Sequence, residues 1–364
     1  MHISHETRYG TSLTQHAPAK RLPQMRRGRL VPLVGCAALV AGAFVNAALS
    51  APPAAAARTS MEQSATSPAP GSIFVANAAA SAGGTGKGSV TAYRPGATGD
   101  VRPELIITAG IDNPDSIVFD HYGDLWVANV SGNTVTEYSR ADLAKASPVP
   151  SVTISVAAPG GDAISPSGDL WVSSGNTVVE FSKAQLAQSG SPKPVVSLGE
   201  NNCSIALDPS GDLWEGSPDN YAYEWTKAQL TRSGSPAPRV TISSNSLQEP
   251  CRPTFDSAGD MWAANFNGDT VVEFTKSQLA KSGSVTPAVT IDPKPSPSDP
   301  NGLESPGDVA LDPTGDLWVP NSGSNAVVEL TKAQLAKSGS PVPARIITGF
   351  ATGLSFPWSL AVEP

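Results

Sequence analysis

The chain has 364 residues, with 24 Lys and Arg against 32 Asp and Glu. That acid excess argues against nucleic acid as a partner, since phosphate recognition rests on clustered Lys and Arg. Three cysteines and four histidines show no zinc-ligand spacing, and no Gly-rich phosphate loop is spelled anywhere.

In chain order, Arg26, Arg27 and Arg29 come first, followed by an apolar run and the small-residue stretch "SAPPAAAARTS". A basic region, an apolar core and a small-residue cleavage zone predict a secretory signal over 1–57 and an extracytoplasmic protein. A membrane anchor is the alternative, because the run is nearly long enough to cross a bilayer. Without residues 1–57 the chain keeps 18 basic and 31 acidic side chains, a net charge of −13. Residues 58–70, rich in Ala, Ser, Thr and Pro, are expected to be a disordered leader.

From residue 71 the chain repeats itself. "GDLWVAN", "GDLWVSS", "GDLWEGS", "GDMWAAN" and "GDLWVPN" place Asp124, Asp169, Asp212, Asp260 and Asp316 at steps of 45, 43, 48 and 56 residues. This period is that of propeller blades of four strands. A short apolar run such as "SIALD" is the first strand, and "DPSGD" a tight turn in which Pro presets φ and Gly accepts a positive one. "LWVAN", "TVVEF" and "PAVTI" supply the second, third and fourth strands. Between the last two, Ser182, Thr226, Thr275 and Thr331 stand three residues before Gln185, Gln229, Gln278 and Gln334, a capping box for a short helix. Gly190, Gly234, Gly283 and Gly339 suit a left-handed residue closing it.

The ends set the blade number. "GSIFVAN" at 71–77 matches a second strand that lacks a first, and "PWSLAVEP" at 357–364 matches a first strand that lacks a blade. The C-terminal strand should therefore complete the N-terminal blade, giving an all-β, six-bladed β-propeller over 71–364 with no free sheet edge at the seam. Trp126, Trp171, Trp214, Trp262 and Trp318, with Phe74, hold one position per blade. An aromatic recurring in every blade reads as inter-blade packing rather than a binding platform. Glu180, Glu224, Glu273 and Glu329 recur likewise; lying far apart around a ring, they cannot form one acid/base pair, and are expected to pair with lysines or face solvent.

The phrase "P-x-S-I-A-L-D-P-x-G-D-L-W-V-A-N", most nearly complete at 114–129 and 202–217, resembles the NHL repeat. It is also similar to the six-bladed gluconolactonase and virginiamycin B lyase families. The lyase resemblance implies a catalytic His and a divalent metal near the channel. The one histidine beyond residue 57, His121, falls in a first-to-second-strand turn, on the face opposite such a site. The gluconolactonase resemblance implies a Glu, Asn and Asp metal set just before first strands. Here Asp115 fits, but its counterparts are Gly160, Cys203, Cys251, Gly307 and Trp358, and the "PNG" at 300–302 is six residues out of register.

What does not repeat is expected to carry function. Asp115, Asp162, Glu200, Asn202, Glu249, Arg252, Asp308 and Trp358 cluster where the chain leads into first strands, on one acidic face. Oxygen ligands from Asp115, Glu249 and Asp308 would suit Ca²⁺ or Mg²⁺. The other face, with Arg140, Lys183, Lys227, Lys276 and Lys332, is expected to be basic. The extra residues of the last step, around 293–302, are expected to wall the site. Cys203 and Cys251 precede first strands of adjacent blades and are expected to form a disulfide on export. The favoured function is a secreted, monomeric, non-catalytic module that binds an extracellular protein, glycan or small molecule. A metal-dependent lactonase or lyase with a rearranged ligand set, and a purely structural protein, are the alternatives.

Overall fold

The computed structural model describes residues 68–78, 86–199, 204–293 and 302–364, with Cys251 described by its backbone alone. The expected signal, the leader up to residue 67, Glu200, Asn202, Cys203 and most of the 293–302 loop lie outside these residues. Residues 68–70 of the expected leader do not follow that expectation: Ser72 N–H closes a turn on the Ala69 carbonyl at 2.9 Å. Among the described residues no helix is long and apolar enough to cross a membrane.

Six antiparallel sheets form the ring. The first blade is composite, with Pro357–Val362 paired to Ile73–Asn77, then Ser89–Tyr93 and Leu105–Ile107. The second runs Pro114–Phe119, Leu125–Asn129, Thr134–Tyr138 and Val152–Ser155, and the third starts at Pro159–Ile164. First strands of the fourth, fifth and sixth blades are Ile205–Leu207, Pro250–Phe255 and Ala310–Leu311. Each first strand touches the next, and Ala310–Leu311 touches Pro357–Val362, so the innermost layer closes on itself.

The repeated aromatics pack between blades. Trp126 is buried with Val172 and Phe181 of the third blade, Trp262 with Val319 and Leu330 of the sixth, and Trp318 with Ile73, Val75 and Tyr93 of the first. Phe74 takes the same role at the seam, edge-on to Phe119 at 5.0 Å. Each ring removes roughly 150–250 Å² from water, which is why the motif cannot drift.

The other motif letters resolve into caps. Oδ1 of Asp124, Asp169, Asp212, Asp260 and Asp316 accepts the backbone N–H of Arg140, Lys183, Lys227, Lys276 and Lys332, at 2.6–2.9 Å. Thus the Asp of each Gly-Asp pair caps the helical turn of its own blade. The glycine before it holds φ between +81° and +87°, with the stem of the same Arg or Lys lying over it. The acids therefore sit beside the bases, and the face expected to be basic is one of mixed charge. At the far end of the second strand, Asn77, Asn129, Asn265 and Asn321 are buried, and each Oδ1 accepts an N–H from the segment leading into a first strand.

Three expectations change. Both bonds of the capping box form at Thr331 with Gln334 and at Thr275 with Gln278, whereas at Ser182 and Thr226 the Gln side chain reaches back to the N–H around a tighter turn. The glycines that follow do not close helices. Gly190, Gly234, Gly283 and Gly339 each pair in parallel with the outermost strand of the preceding blade, beside Ile154, Leu198, Ile242 and Ile291. The preceding serines, such as Ser189 and Ser233, accept one more N–H from that strand. An outer strand exposes an unpaired edge, and this staple covers it. Glu224 and Glu329 are buried and pair with Arg239 and Arg345 rather than with lysines.

Candidate functional site

The site is built where the six first strands begin. Asn113, Ala158, Glu249, Ser305 and Phe356, each directly before the proline of a first-strand segment, hold φ between +41° and +57°. Five blades share this conformation, so it is architecture; its effect is to aim the next residues at the axis. Arg252 adds a φ of +38° that its counterparts Ser116, Asp308 and Ser359 lack. Such a backbone costs about 1–3 kcal/mol for a non-Gly residue, and the surroundings must hold it.

What holds it lies across the ring. From the fifth blade, the buried Arg252 reaches the second, donating to Asp115 Oδ2 at 2.8 Å, to the Asp115 carbonyl and to Ser116 Oγ. Ser116 in turn donates to Asp162 Oδ1 and receives the Asp162 N–H at 3.2 Å. Asp308 accepts Val309 N–H on Oδ1 (2.7 Å) and both Ser359 Oγ–H (2.8 Å) and Leu360 N–H (3.2 Å) on Oδ2. Ser204 Oγ accepts the Arg252 N–H at 2.7 Å. Gly161 holds the remaining inner position because a Cβ there would lie 2.6 Å from the Ser204 Cα. All six blades contribute, and the result is a polar plug across the channel.

The plug carries three carboxylates and one guanidinium. Burial pushes Asp162 up to about 7, with Asp115 and Asp308 adding to the rise and Ser116 and Arg252 opposing it. Burial likewise raises Asp308 to about 6, and raises Asp115 against the pull of Arg252. Asp162 Oδ2 is buried and accepts no hydrogen bond among the described residues.

On the outer side of the plug lies an aromatic ledge. Trp358 is half-buried, stacks on Phe356 (5.7 Å, 9°) and meets Phe266 edge-on (5.1 Å). Glu249 stands on the same rim, accepting from Asn267 Nδ2 and, through its N–H, donating to Asn220 Oδ1 at 2.7 Å. On the inner side, a cavity of about 520 Å³ runs along the first strands and opens at Asp120 and His121. His121 is thus placed as expected, at the opposite end from the plug, its ring tilted against Tyr122 at 3.9 Å.

Sequence reasoning therefore named Asp115, Asp162, Arg252, Asp308 and Trp358, which the structure brings together, and Glu249, which stays on the rim. Asn202 lies outside the described residues, as does any disulfide involving Cys203. Asp115, Glu249 and Asp308 do not assemble as three carboxylates around one point. Among the described residues, the one such group is Asp312, Asp316 and Glu329. Those three already cap the Thr314 turn, cap Lys332 and pair with Arg345. The resemblance-implied metal does not fit the plug: Arg252 supplies the cation to Asp115, and protein donors occupy both oxygens of Asp308. Ser116, Ser204 and Ser359 were missed as plug members, although "P-x-S" spells Ser116 and Ser359 in the repeat itself. Phe266 and Phe356 carried no signal, because their meeting with Trp358 joins the fifth and first blades.

No protein-family model matches the chain, and no curated protein sequence does. Among solved structures, a protein of unknown function from Bacteroides caccae superposes with a TM-score of 0.55 at 11% identity, covering 80% of this chain and 98% of that one. A chain of the nidogen/laminin complex superposes with a TM-score of 0.56 at 13% identity, covering 81% and 99%. Virginiamycin B lyase from Staphylococcus aureus gives 0.41 at 16% identity, covering 68% and 72%. The chain is a six-bladed β-propeller, and these similarities extend to its fold alone.

Proposed function

We propose that the protein is a secreted, non-catalytic binding module that uses the face bearing the aromatic ledge. The observation that carries this reading is Trp358. It is the one aromatic at its position in the repeat, it stays half-exposed while the six packing aromatics are buried, and Phe356 and Phe266 hold its ring in place. A rigid aromatic with an acid and an amide beside it is the composition of a recognition surface for an extracellular protein, glycan or small molecule. Beneath it, Arg252 holds Asp115 and Ser116, and protein donors hold both oxygens of Asp308, so the ledge rests on a fixed hydrogen-bonded base.

Trp358→Ala tests the reading. Titration of the purified protein with an oligosaccharide and peptide panel, followed by tryptophan fluorescence, should give saturable binding that the substitution abolishes, while Tm moves by only a few degrees. Binding that survives both Trp358→Ala and trimming of residues 294–301 would assign function to another face. Export is tested by thiol titration of secreted protein under denaturing conditions, where the proposed Cys203–Cys251 bridge leaves no free thiol; two would refute it.

A further inference from the structure

We propose that the axial cavity on the inner side of the plug is a separate binding site for a slender alkylammonium, its tail along the first strands and its charged head on Asp162. The lining falls into two parts. Asp162, Asp308, Arg252 and Ser116 close one end, and from there to the open end at Asp120 and His121 the only polar lining side chain among the described residues is Thr254. The remaining walls are aliphatic, proline or Phe119, so an occupant gains by bringing apolar surface out of contact with water. A volume of about 520 Å³ falls in the range that holds small organic ligands.

The closed end selects the head group. Asp162 holds the position that Ile117, Ile205, Pro253, Val309 and Leu360 hold in the other blades, so one acid interrupts an apolar ring. It is 7% exposed, and its Oδ2 accepts no hydrogen bond among the described residues. A buried acceptor left unpartnered costs about 1–3 kcal/mol, more if charged. Two of the three carboxylates of the plug line this cavity, while the guanidinium donates to Asp115 and Ser116 in the second blade. An ammonium brings N–H donors and the missing positive charge together; a carboxylate or a neutral tail brings neither. Asp115, Asp308 and Arg252 are the charged groups around Asp162, from the second, sixth and fifth blades, with Asp120 and His121 at the open end. Ammonium binding needs Asp162 ionised and should tighten from pH 5 to pH 8.

The test is calorimetric titration of the full chain at pH 8 with n-octylammonium chloride, n-octanol, sodium octanoate, ammonium chloride and CaCl₂. Saturable octylammonium binding, at least tenfold tighter than octanol and at least tenfold weaker at pH 5, is expected, with no octanoate binding. Asp162→Asn should weaken it at least tenfold. Ala206→Phe, which narrows the cavity away from the plug, should abolish it in a protein of unchanged circular dichroism. Absence of octylammonium binding, equal affinity for octanol, or binding unchanged in both variants would overturn the proposal. So would Ca²⁺ binding that depends on Asp162 and that octylammonium does not displace. Trp358→Ala should leave octylammonium binding intact, which separates this site from the aromatic ledge.

Discussion

Replacing Arg252 by Met keeps a long side chain on the axis and removes the one guanidinium that the described residues bring to the plug. Arg252 lowers the pKa of Asp115, Asp162 and Asp308 alike. At pH 8 its loss leaves two buried carboxylates, Asp162 and Asp308, and the partly exposed Asp115 without that cation, and removing one partner of a buried ion pair typically costs about 3–5 kcal/mol. At pH 5, Asp162 and Asp308, with values of about 7 and 6, already bind protons. The loss then shrinks to hydrogen bonds and packing, about 1–2 kcal/mol. At about 2 °C per kcal/mol for a domain near this size, Tm should fall by roughly 6–10 °C at pH 8 and roughly 2–4 °C at pH 5. Differential scanning calorimetry of both proteins at both pH values measures it. An equal loss at pH 5 and pH 8 would mean that Arg252 acts by packing alone, and the electrostatic account of the plug would be wrong.

The same acids, with Glu137 and Glu363 that burial also raises to about 7, shape the pH dependence of the unsubstituted protein. Folded values raised from 3.8 to about 7 for Asp162 and about 6 for Asp308 mean that the folded state binds more protons than the unfolded state between about pH 4 and 7. Stability should therefore fall as pH rises through that window, and Asp162→Asn should flatten the slope in urea titrations; a protein more stable at pH 8 than at pH 5 would contradict this. Trp318→Ala, which empties the contact between the sixth and first blades, should cost about 3–5 kcal/mol, whereas a loss below 1 kcal/mol would remove the packing role. Deleting residues 357–364 strips the innermost strand from the first blade together with Ser359 from the plug, and should produce a less soluble protein of lower Tm. Asp260→Ala removes the cap on Lys276 and should cost about 0.5–2 kcal/mol by chemical denaturation.

Blade number, closure by the C-terminal strand and the packing role of the tryptophans were legible in the sequence, since a repeat writes each structural requirement several times. The Gly-Asp turn, the Trp and the terminal Asn each answer one local need: a positive φ, a filled space between sheets, and a donor or acceptor for a backbone group that burial would otherwise leave unpaired. Non-repetition also singled out Asp115, Asp162, Arg252, Asp308 and Trp358, which lie together around the channel. What only the tertiary structure decided is how members of different blades meet. Arg252 spans the axis to the second blade, 136 residues away along the chain, and no local pattern encodes a distance across a ring. For the same reason the sequence placed Asp162 and Asp308 on an open acidic face, whereas they close the inner cavity: first strands alternate their side chains, and which residue points to the axis depends on bulges such as that between Pro159 and Asp162. The glycines after the helical turns were misread because their partner, the bare edge of the preceding blade, does not exist until the blades stand side by side.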